Sequence, residues 1–339
     1  PSPWIRPNGS HQSLSSFPRI KDLSLRDALA TAAIDAAISP GWLAWTIDRI
    51  RPDIVHSTGL VQSGFLTLAA RMLCARPFPR WLISSLGVDT QFYSRVPWSR
   101  PWILQLLAEA DAFFAECARD VDTARDLGFT GIAPCVELIG GGWDTAAVAA
   151  LRQPGPPSAR RAIAIKGYGG ELGRGAVAIA AVRMAADALR GFEIGVFAAH
   201  PDVTLAARLA AADTGLDLVI WPNLPYREHL ARFGRCRAVL GLSESDGAAT
   251  TALEAILAGA VPLQSSTSCL DEWIEPDESG ILLPANDPVP AAEALRRIAT
   301  DAAFVDQAVA LNDHHALPRL DAAAVNPRIV AMYDAVLRA

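Results

Sequence analysis

The sequence predicts an α/β protein built from two parallel, doubly wound sheets. Three observations carry that expectation. From about residue 43 onward, short apolar runs alternate with amphipathic helical stretches, the pattern of strands buried under crossover helices. A Pro/Gly-rich stretch, Arg152-Gln-Pro-Gly-Pro-Pro-Ser-Ala159, interrupts the alternation, which then restarts, as at a domain boundary. The 339 residues exceed one typical domain and suit two.

In the first half, a helix over Trp42–Ile50 precedes a strand at Asp53–His56, and a helix near Phe65–Leu73 precedes a strand at Trp81–Ser84. Helix Pro101–Ala108 leads to strand Ala112–Ala115, and helix Ala118–Leu127 to a strand at Val136–Ile139. In the second half, strands are expected at Ala162–Ile165, Phe192–Phe197, Leu216–Trp221, Ala238–Leu242, Val261–Leu263 and Ile281–Leu283. Helices are expected at Ala176–Leu189, Val203–Ala212, from Thr250, and at Ala291–Ala299. The domains are read as 1–152 and 153–320. Residues 321–339 form a last helix, Ile329–Leu337, that crosses back onto the first domain.

Apolar residues make up 51% of the chain, enough for well-covered cores, yet no apolar run is long enough to span a bilayer. A net charge of −6 carries no nucleic-acid signature. The five cysteines, Cys74, Cys117, Cys135, Cys236 and Cys269, are scattered. They fit neither a zinc spacing nor a disulfide framework, so a reducing, cytoplasmic setting is expected. The chain opens Pro1-Ser-Pro-Trp4 with no secretory leader pattern. It has only two lysines, Lys21 and Lys166.

The most informative segment runs from Ser243 to Ser266. Strand Ala238–Leu242 leads through Ser245-Asp-Gly247 into a helix with Leu253, Ile256 and Leu257 on its inward face; Gly259 stops it. The free N–H groups of such a helix form an anion site at the carboxyl end of a parallel sheet. Asp246 and Glu254 bracket the turn with seven residues between them. A second segment, Ile163-Ala-Ile-Lys-Gly-Tyr-Gly-Gly-Glu-Leu-Gly-Arg-Gly175, places Lys166 at a strand tip and Arg174 at a helix start. It is neither G-x-G-x-x-G nor a Walker loop, which disfavours a Rossmann dehydrogenase or P-loop NTPase.

The Asp246–Glu254 spacing, Gly247, Leu253-Glu-Ala255 and Ala258-Gly-Ala-Val-Pro262 resemble the E-x7-E motif of family 4 retaining glycosyltransferases, which have the GT-B fold. The first acid is Asp here, not Glu. That resemblance implies two Rossmann-like domains facing across a cleft. The second would bind a nucleotide-sugar donor, UDP- or GDP-linked. The first would hold a glycan, lipid-linked or small-molecule acceptor. Lys166 and Arg174 take the place of the family's Arg and Lys, in reversed order, to offset charge on the leaving diphosphate. The two cations are not equivalent in geometry. Asp246 is expected on a sugar hydroxyl and Glu254 on the ribose. Gly167, Gly247, Ala248, Ala249, Thr250 and Thr251 are expected to line the diphosphate and sugar. No cofactor and no metal are implied.

Further candidates are weaker. Ser84-Ser-Leu-Gly-Val-Asp89 resembles the family's sugar-facing His-Gly-x-Asp turn, with Leu86 in place of His and with Gly87 and Asp89 kept. Gly140-Gly-Gly-Trp-Asp144 resembles a family turn and reads as an interdomain hinge. Asn223, Leu224 and Tyr226 match a segment that frames the nucleobase. His200 lies at a strand end near it. His56 ends a strand on the acceptor side, although a satisfied rim histidine is the commoner case. His314 and His315 read as a solvated helix end. Only the residues up to Ile50 precede Arg51-Pro-Asp-Ile-Val-His56, which resembles a family element found after a first βαβ unit. Pro7–Leu23 is irregular, so the first strand and its Gly-rich acceptor loop are expected to be missing or degenerate. The expected activity is retaining sugar transfer in the cytoplasm, with room for peripheral contact with the inner membrane face. A catalytically impaired paralogue that binds a nucleotide or protein, a sugar-nucleotide epimerase and an inverting GT-B enzyme share the same architecture.

Overall fold

The computed structural model describes residues 39–339; the expectations for Pro7–Leu23 and for a first βαβ unit fall outside them. Helix α1 (Pro40–Ile50) starts at Ser39, whose side chain accepts from the Trp42 amide. This N-cap satisfies one orphan donor of the first turn. It leads into β1 (Ile54–Thr58), a π-helical turn at Leu60–Gly64, α2 (Phe65–Arg71) and β2 (Arg80–Ser85). Short α3 (Val88–Gln91) and longer α4 (Arg100–Glu109) precede β3 (Ala112–Ala115) and α5 (Ala118–Asp126). The strands pair in parallel in the order β1-β2-β3. Their shared core holds Leu60, Trp81, Ile83, Leu106 and Phe113. The Trp81 indole donates to Ser57 Oγ at 2.9 Å, as a buried Trp requires.

The strand expected at Val136–Ile139 does not form. Its contact with the sheet is a single bridge between Ala115 and Val136. The Glu137 amide donates to Ala115 O in that bridge, but the two after it are taken by carboxylates: Leu138 N donates to Glu137 Oε1 at 2.9 Å and Ile139 N to Glu116 Oε1 at 3.2 Å. Side-chain acceptors outcompete the ladder here. Helix α6 (Thr145–Ala149) follows, N-capped by Asp144.

The second sheet is β4 (Ala162–Lys166), β5 (Glu193–Phe197), β6 (Asp217–Ile220), β7 (Cys236–Gly241), β8 (Val261–Ser265) and β9 (Ile281–Leu283). All neighbours are parallel, in the order β6-β5-β4-β7-β8-β9. The crossover helices are α7 (Gly175–Met184), α8 (Pro201–Thr214), α9 (Tyr226–Phe233), α10 (Thr250–Leu257) and α11 (Pro288–Thr300). Then come α12 (Ala302–His315), α13 (Leu317–Leu320) and α14 (Ala322–Arg338).

Strand β4 shows how the two faces are divided. Ile163 and Ile165 sit in one core with Ile179 of α7 and Leu295 of α11. Ala162 and Ala164 sit in another with Phe233 of α9 and Ala255 of α10. Both faces are covered, so the strand is apolar from Ala162 to Ile165, as central parallel strands are, with Lys166 at its tip. The direction in which successive strands are added reverses between β4 and β7, the switch point where doubly wound sheets open a crevice at the strands' carboxyl ends.

Helix α14 packs on the first sheet: Met332 and Val336 share a core with Leu82 and Phe114. Arg328 pairs with the buried carboxylate of Glu137. Helix α6 instead packs with the second domain, Val148 lying with Leu253 and Ile256. The two crossings tie the domains together. Met332→Ala should cost about 2–5 kcal/mol and lower the melting temperature measured by circular dichroism. An unchanged melting temperature would show that α14 does not hold the first sheet.

Candidate functional site

Side-chain parity on β4 places Lys166 on the α10 side of the sheet, with Ala162 and Ala164. Its ammonium lies 3.6 Å from Asp246 Oδ2 and 4.5 Å above the Tyr168 ring. Two strands on either side of the switch point thus bring Lys166 and Asp246 together. Gly241, at the end of β7, leaves room for the lysine stem: a Cβ there would lie 3.7 Å from Lys166 Cδ and 2.6 Å from Gln264 Oε1.

Asp246 opens the turn into α10. Ala249, at the N-cap, has φ +52°, a left-handed conformation that costs a residue with a Cβ about 1–2 kcal/mol. No side chain caps this helix. Among the described residues, the amides of Ala248, Ala249, Thr250 and Thr251 donate to no protein group. Strain held at an uncapped helix start is a feature of anion-binding turns. Ala248, Ala249 and Thr251 are buried and Thr250 is exposed.

Every residue of α10 from Thr251 to Leu257 is buried, so Glu254 has no solvated side to turn to. Burial raises its pKa to about 7. Tyr226 OH donates to Glu254 Oε1 at 2.8 Å and receives the Trp143 indole N–H at 2.6 Å. Burial, with the Glu254 charge adding, raises the phenol's pKa. His229 Nε2 lies 3.9 Å from Glu254 Oε2, and burial lowers the imidazole's pKa. The carboxylate is thus held by a Trp143–Tyr226 relay that starts in the segment before α6.

Arg174 is engaged differently from Lys166. Its guanidinium donates to Glu244 Oε2 at 2.7 Å and to Asn286 Oδ1 at 2.5 Å. It ties the Gly-rich loop to the segment before Asp246, and its charge is already paired. Gly167 is stitched to β5 from both sides: its N–H donates to Phe197 O, and its carbonyl accepts from His200 N. His200 is exposed and pairs with Asp202 at 2.5 Å. Asn223 is exposed and Leu224 half-buried in the loop before α9.

The first domain meets this site backbone to backbone. Gly87 has φ +89°, and a Cβ on it would lie 2.1 Å from Gly247 N. Only glycine permits this approach. Asp89 Oδ2 accepts the Leu60 amide at 2.8 Å, so it caps the π-helical turn. Burial raises its pKa. His56 has both ring nitrogens occupied, Nδ1 by Tyr333 OH at 2.7 Å and Nε2 by Ser84 Oγ at 3.1 Å. Burial lowers its pKa to about 4. His56 is thus the satisfied histidine that the sequence made the commoner case, neutral and clamping α14. His314 and His315 are exposed at a helix end.

Two groups escaped the sequence reading. Arg119 crosses between domains, donating to Asp246 O at 2.7 Å and Thr267 O at 3.0 Å. Glu116 is held by the Ile139 amide, and burial, with nearby Asp246 and Asp120 adding, raises its pKa to about 7. Both follow β3, at the carboxyl end of the first sheet, where position rather than motif marks them.

No family model and no curated protein matches the chain. Solved structures do. Sucrose-phosphate synthase from Thermosynechococcus elongatus superposes with TM-score 0.69 at 16% identity, over 88% of this chain and 77% of that one. A structure of trehalose-6-phosphate synthase gives 0.68 at 12%, over 88% and 77%. HepE from Anabaena, in complex with UDP-glucose, gives 0.63 at 14%, over 87% and 82%. The architecture is therefore the GT-B fold of nucleotide-sugar glycosyltransferases.

A buried acid whose folded pKa is raised stabilises the fold below its unfolded pKa and loses that contribution as pH rises through the folded value. For Glu254 this window runs from about 4.5 to about 7. Glu254→Gln should flatten the stability profile there and leave the free protein more stable than wild type at pH 8 by a few kcal/mol at most, or about 1–3. Urea titrations at pH 4.5, 6 and 8 measure it. Equal slopes for both proteins would mean that Glu254 is not the titrating group.

Proposed function

We propose that the chain is a glycosyltransferase that moves a sugar from a nucleotide-sugar donor to a hydroxyl acceptor with retention of anomeric configuration. One observation carries the reading. The β4/β7 crevice gathers Lys166, Asp246, an uncapped α10 N-terminus and buried Glu254 in one place. That set suits a nucleoside diphosphate sugar: amides and a cation for the diphosphate, carboxylates for the ribose and sugar hydroxyls. The fold likeness supports it, since HepE was solved with UDP-glucose. Trehalose-6-phosphate synthase is described in terms of glycosyl transfer with retention.

In this reading the diphosphate sits on the 248–251 amides and beside Lys166, which offset the charge that grows as the sugar leaves. Glu254 accepts the ribose hydroxyls, taking the place of its present Tyr226 contact. Asp246 holds a sugar hydroxyl and keeps Lys166 oriented. Arg174 positions the Gly-rich loop through Glu244 and reaches the diphosphate only if that pair opens. The transition state is oxocarbenium-like. The acceptor hydroxyl attacks from the face the diphosphate leaves, and a departing phosphate oxygen takes its proton. Closure about residues 140–160 keeps water from the donor. The acceptor is a glycan, lipid-linked or small-molecule hydroxyl held by the first domain. No helix among the described residues is long and apolar enough to cross a membrane. We place the activity in the cytoplasm, with peripheral membrane contact open to it, and without a metal.

The pairing of Arg174 with Glu244 favours a second reading, a nucleotide-binding relative that does not turn over. Calorimetry against UDP, GDP, ADP and dTDP, followed by turnover of the matching sugar nucleotides, separates the two. One nucleotide should bind, and Lys166→Ala should weaken it about 10–100-fold, the worth of a charge-assisted contact. Because the ribose needs Glu254 ionised, binding should release protons near pH 7, seen as a buffer-dependent enthalpy that Glu254→Gln abolishes. Binding without donor turnover would favour the second reading. No binding by folded protein would remove both.

A further inference from the structure

Cys117 and Cys269 stand on opposite sides of the interdomain crevice. Cys117 lies between β3 and α5 of the first domain, and Cys269 in the turn after β8 of the second. Their Sγ atoms and a Glu272 carboxylate oxygen all lie within 4.8 Å of one another. Both thiols are free, with relative exposures of 0% and 1%. They flank the closest approach of the two domains: Arg119 donates to Asp246 O and Thr267 O, and the Cys269 amide donates to the Gly247 carbonyl.

We propose that Cys117 and Cys269 are a modification site for small-molecule disulfides, and that the bond they form with each other locks the two domains closed. The inference is independent of the sugar-transfer reading.

A metal ion fits this cluster less well. The Glu272 carboxylate already accepts the Ala118 amide with both oxygens, at 2.9 and 3.2 Å, at the positive end of α5. The Arg119 guanidinium lies close enough to interact with both thiols. A cation would add to this positive charge, whereas a thiolate is favoured beside a helix N-terminus and an arginine. In the closed protein the contact with Cys269, together with burial, raises the Cys117 thiol's pKa. Reaction therefore begins when the domains part and one sulfur meets solvent.

The chemistry balances with oxidised glutathione as the oxidant. One cysteine thiolate attacks a glutathione sulfur, forming a mixed disulfide and breaking the S–S bond of the reagent. One glutathione thiolate leaves. When the domains close, the second cysteine attacks the protein sulfur of the mixed disulfide and expels the other glutathione. The two protons given up by the cysteines end on the two released thiols. The two electrons also leave with the glutathione pair. A disulfide brings its sulfurs to about 2 Å, so side-chain rotation must draw the pair in from its present separation.

The test treats the full chain with oxidised glutathione. The product should be lighter by two hydrogens, with the Cys117 and Cys269 peptides linked in a non-reducing map and freed by dithiothreitol. Hydrogen exchange at the Ala118 and Cys269 amides, which are hydrogen-bonded at this contact, should slow roughly tenfold in the oxidised protein. Cys117→Ser and Cys269→Ser, separately, should each carry one glutathione on the remaining thiol and show no slowing. Cys74→Ser should behave as wild type. The proposal fails if wild type carries glutathione on both cysteines, remains unreacted, or cross-links without slowed exchange. It also fails if the reduced protein retains one equivalent of zinc that both Cys→Ser variants lose.

Discussion

Strands β4 and β7 lie side by side while their crossovers leave to opposite faces of the sheet. Everything at the site depends on this divergence. It opens the crevice, and it sets the parity that turns Lys166 toward α10. It also leaves the start of α10 pointing at the carboxyl ends of the strands. The apolar cost is met by complete burial of β4 and β7. The polar cost falls on Glu254, a carboxylate kept in a dry helix by one phenol and a neighbouring lysine. Groups held that far from their usual ionisation state cluster at functional sites.

The second constraint is contact between the domains. Gly87 and Gly247 approach so closely that neither backbone tolerates a side chain on Gly87. Arg119 and Glu272 bridge the same gap with charge. On the far side, α14 seals the first sheet with Met332 and Val336. The crevice is thus bounded by a tight contact at one place and by a long packed helix at another.

Much of this was legible in the residues. The alternation of apolar runs and helices located all nine strands of the described residues and added one that does not form; buried parallel strands and crossover helices differ in length and period. Val136–Ile139 misled because its pattern is apolar enough, while Glu116 and Glu137, which take its amides, act through space. The Asp246–Glu254 turn was legible because spacing, glycine and helix start are all local. Arg119, Glu116 and the Cys117–Cys269 pair were not, since each gains meaning only when the domains meet. Arg174 was read as a cation for the diphosphate because sequence shows no pairing with Glu244 or Asn286. That His56 is satisfied was the commoner expectation, but its partner was hidden, since Tyr333 lies at the other end of the chain.

The most direct test of the central claim is a crystal structure of the chain soaked with whichever nucleoside diphosphate binds. The account predicts phosphate oxygens within about 3 Å of the 248–251 amides and beside Lys166, with the ribose hydroxyls on Glu254. A diphosphate bound elsewhere, or in that crevice with Glu254 still turned to Tyr226 and away from the ribose, would contradict it.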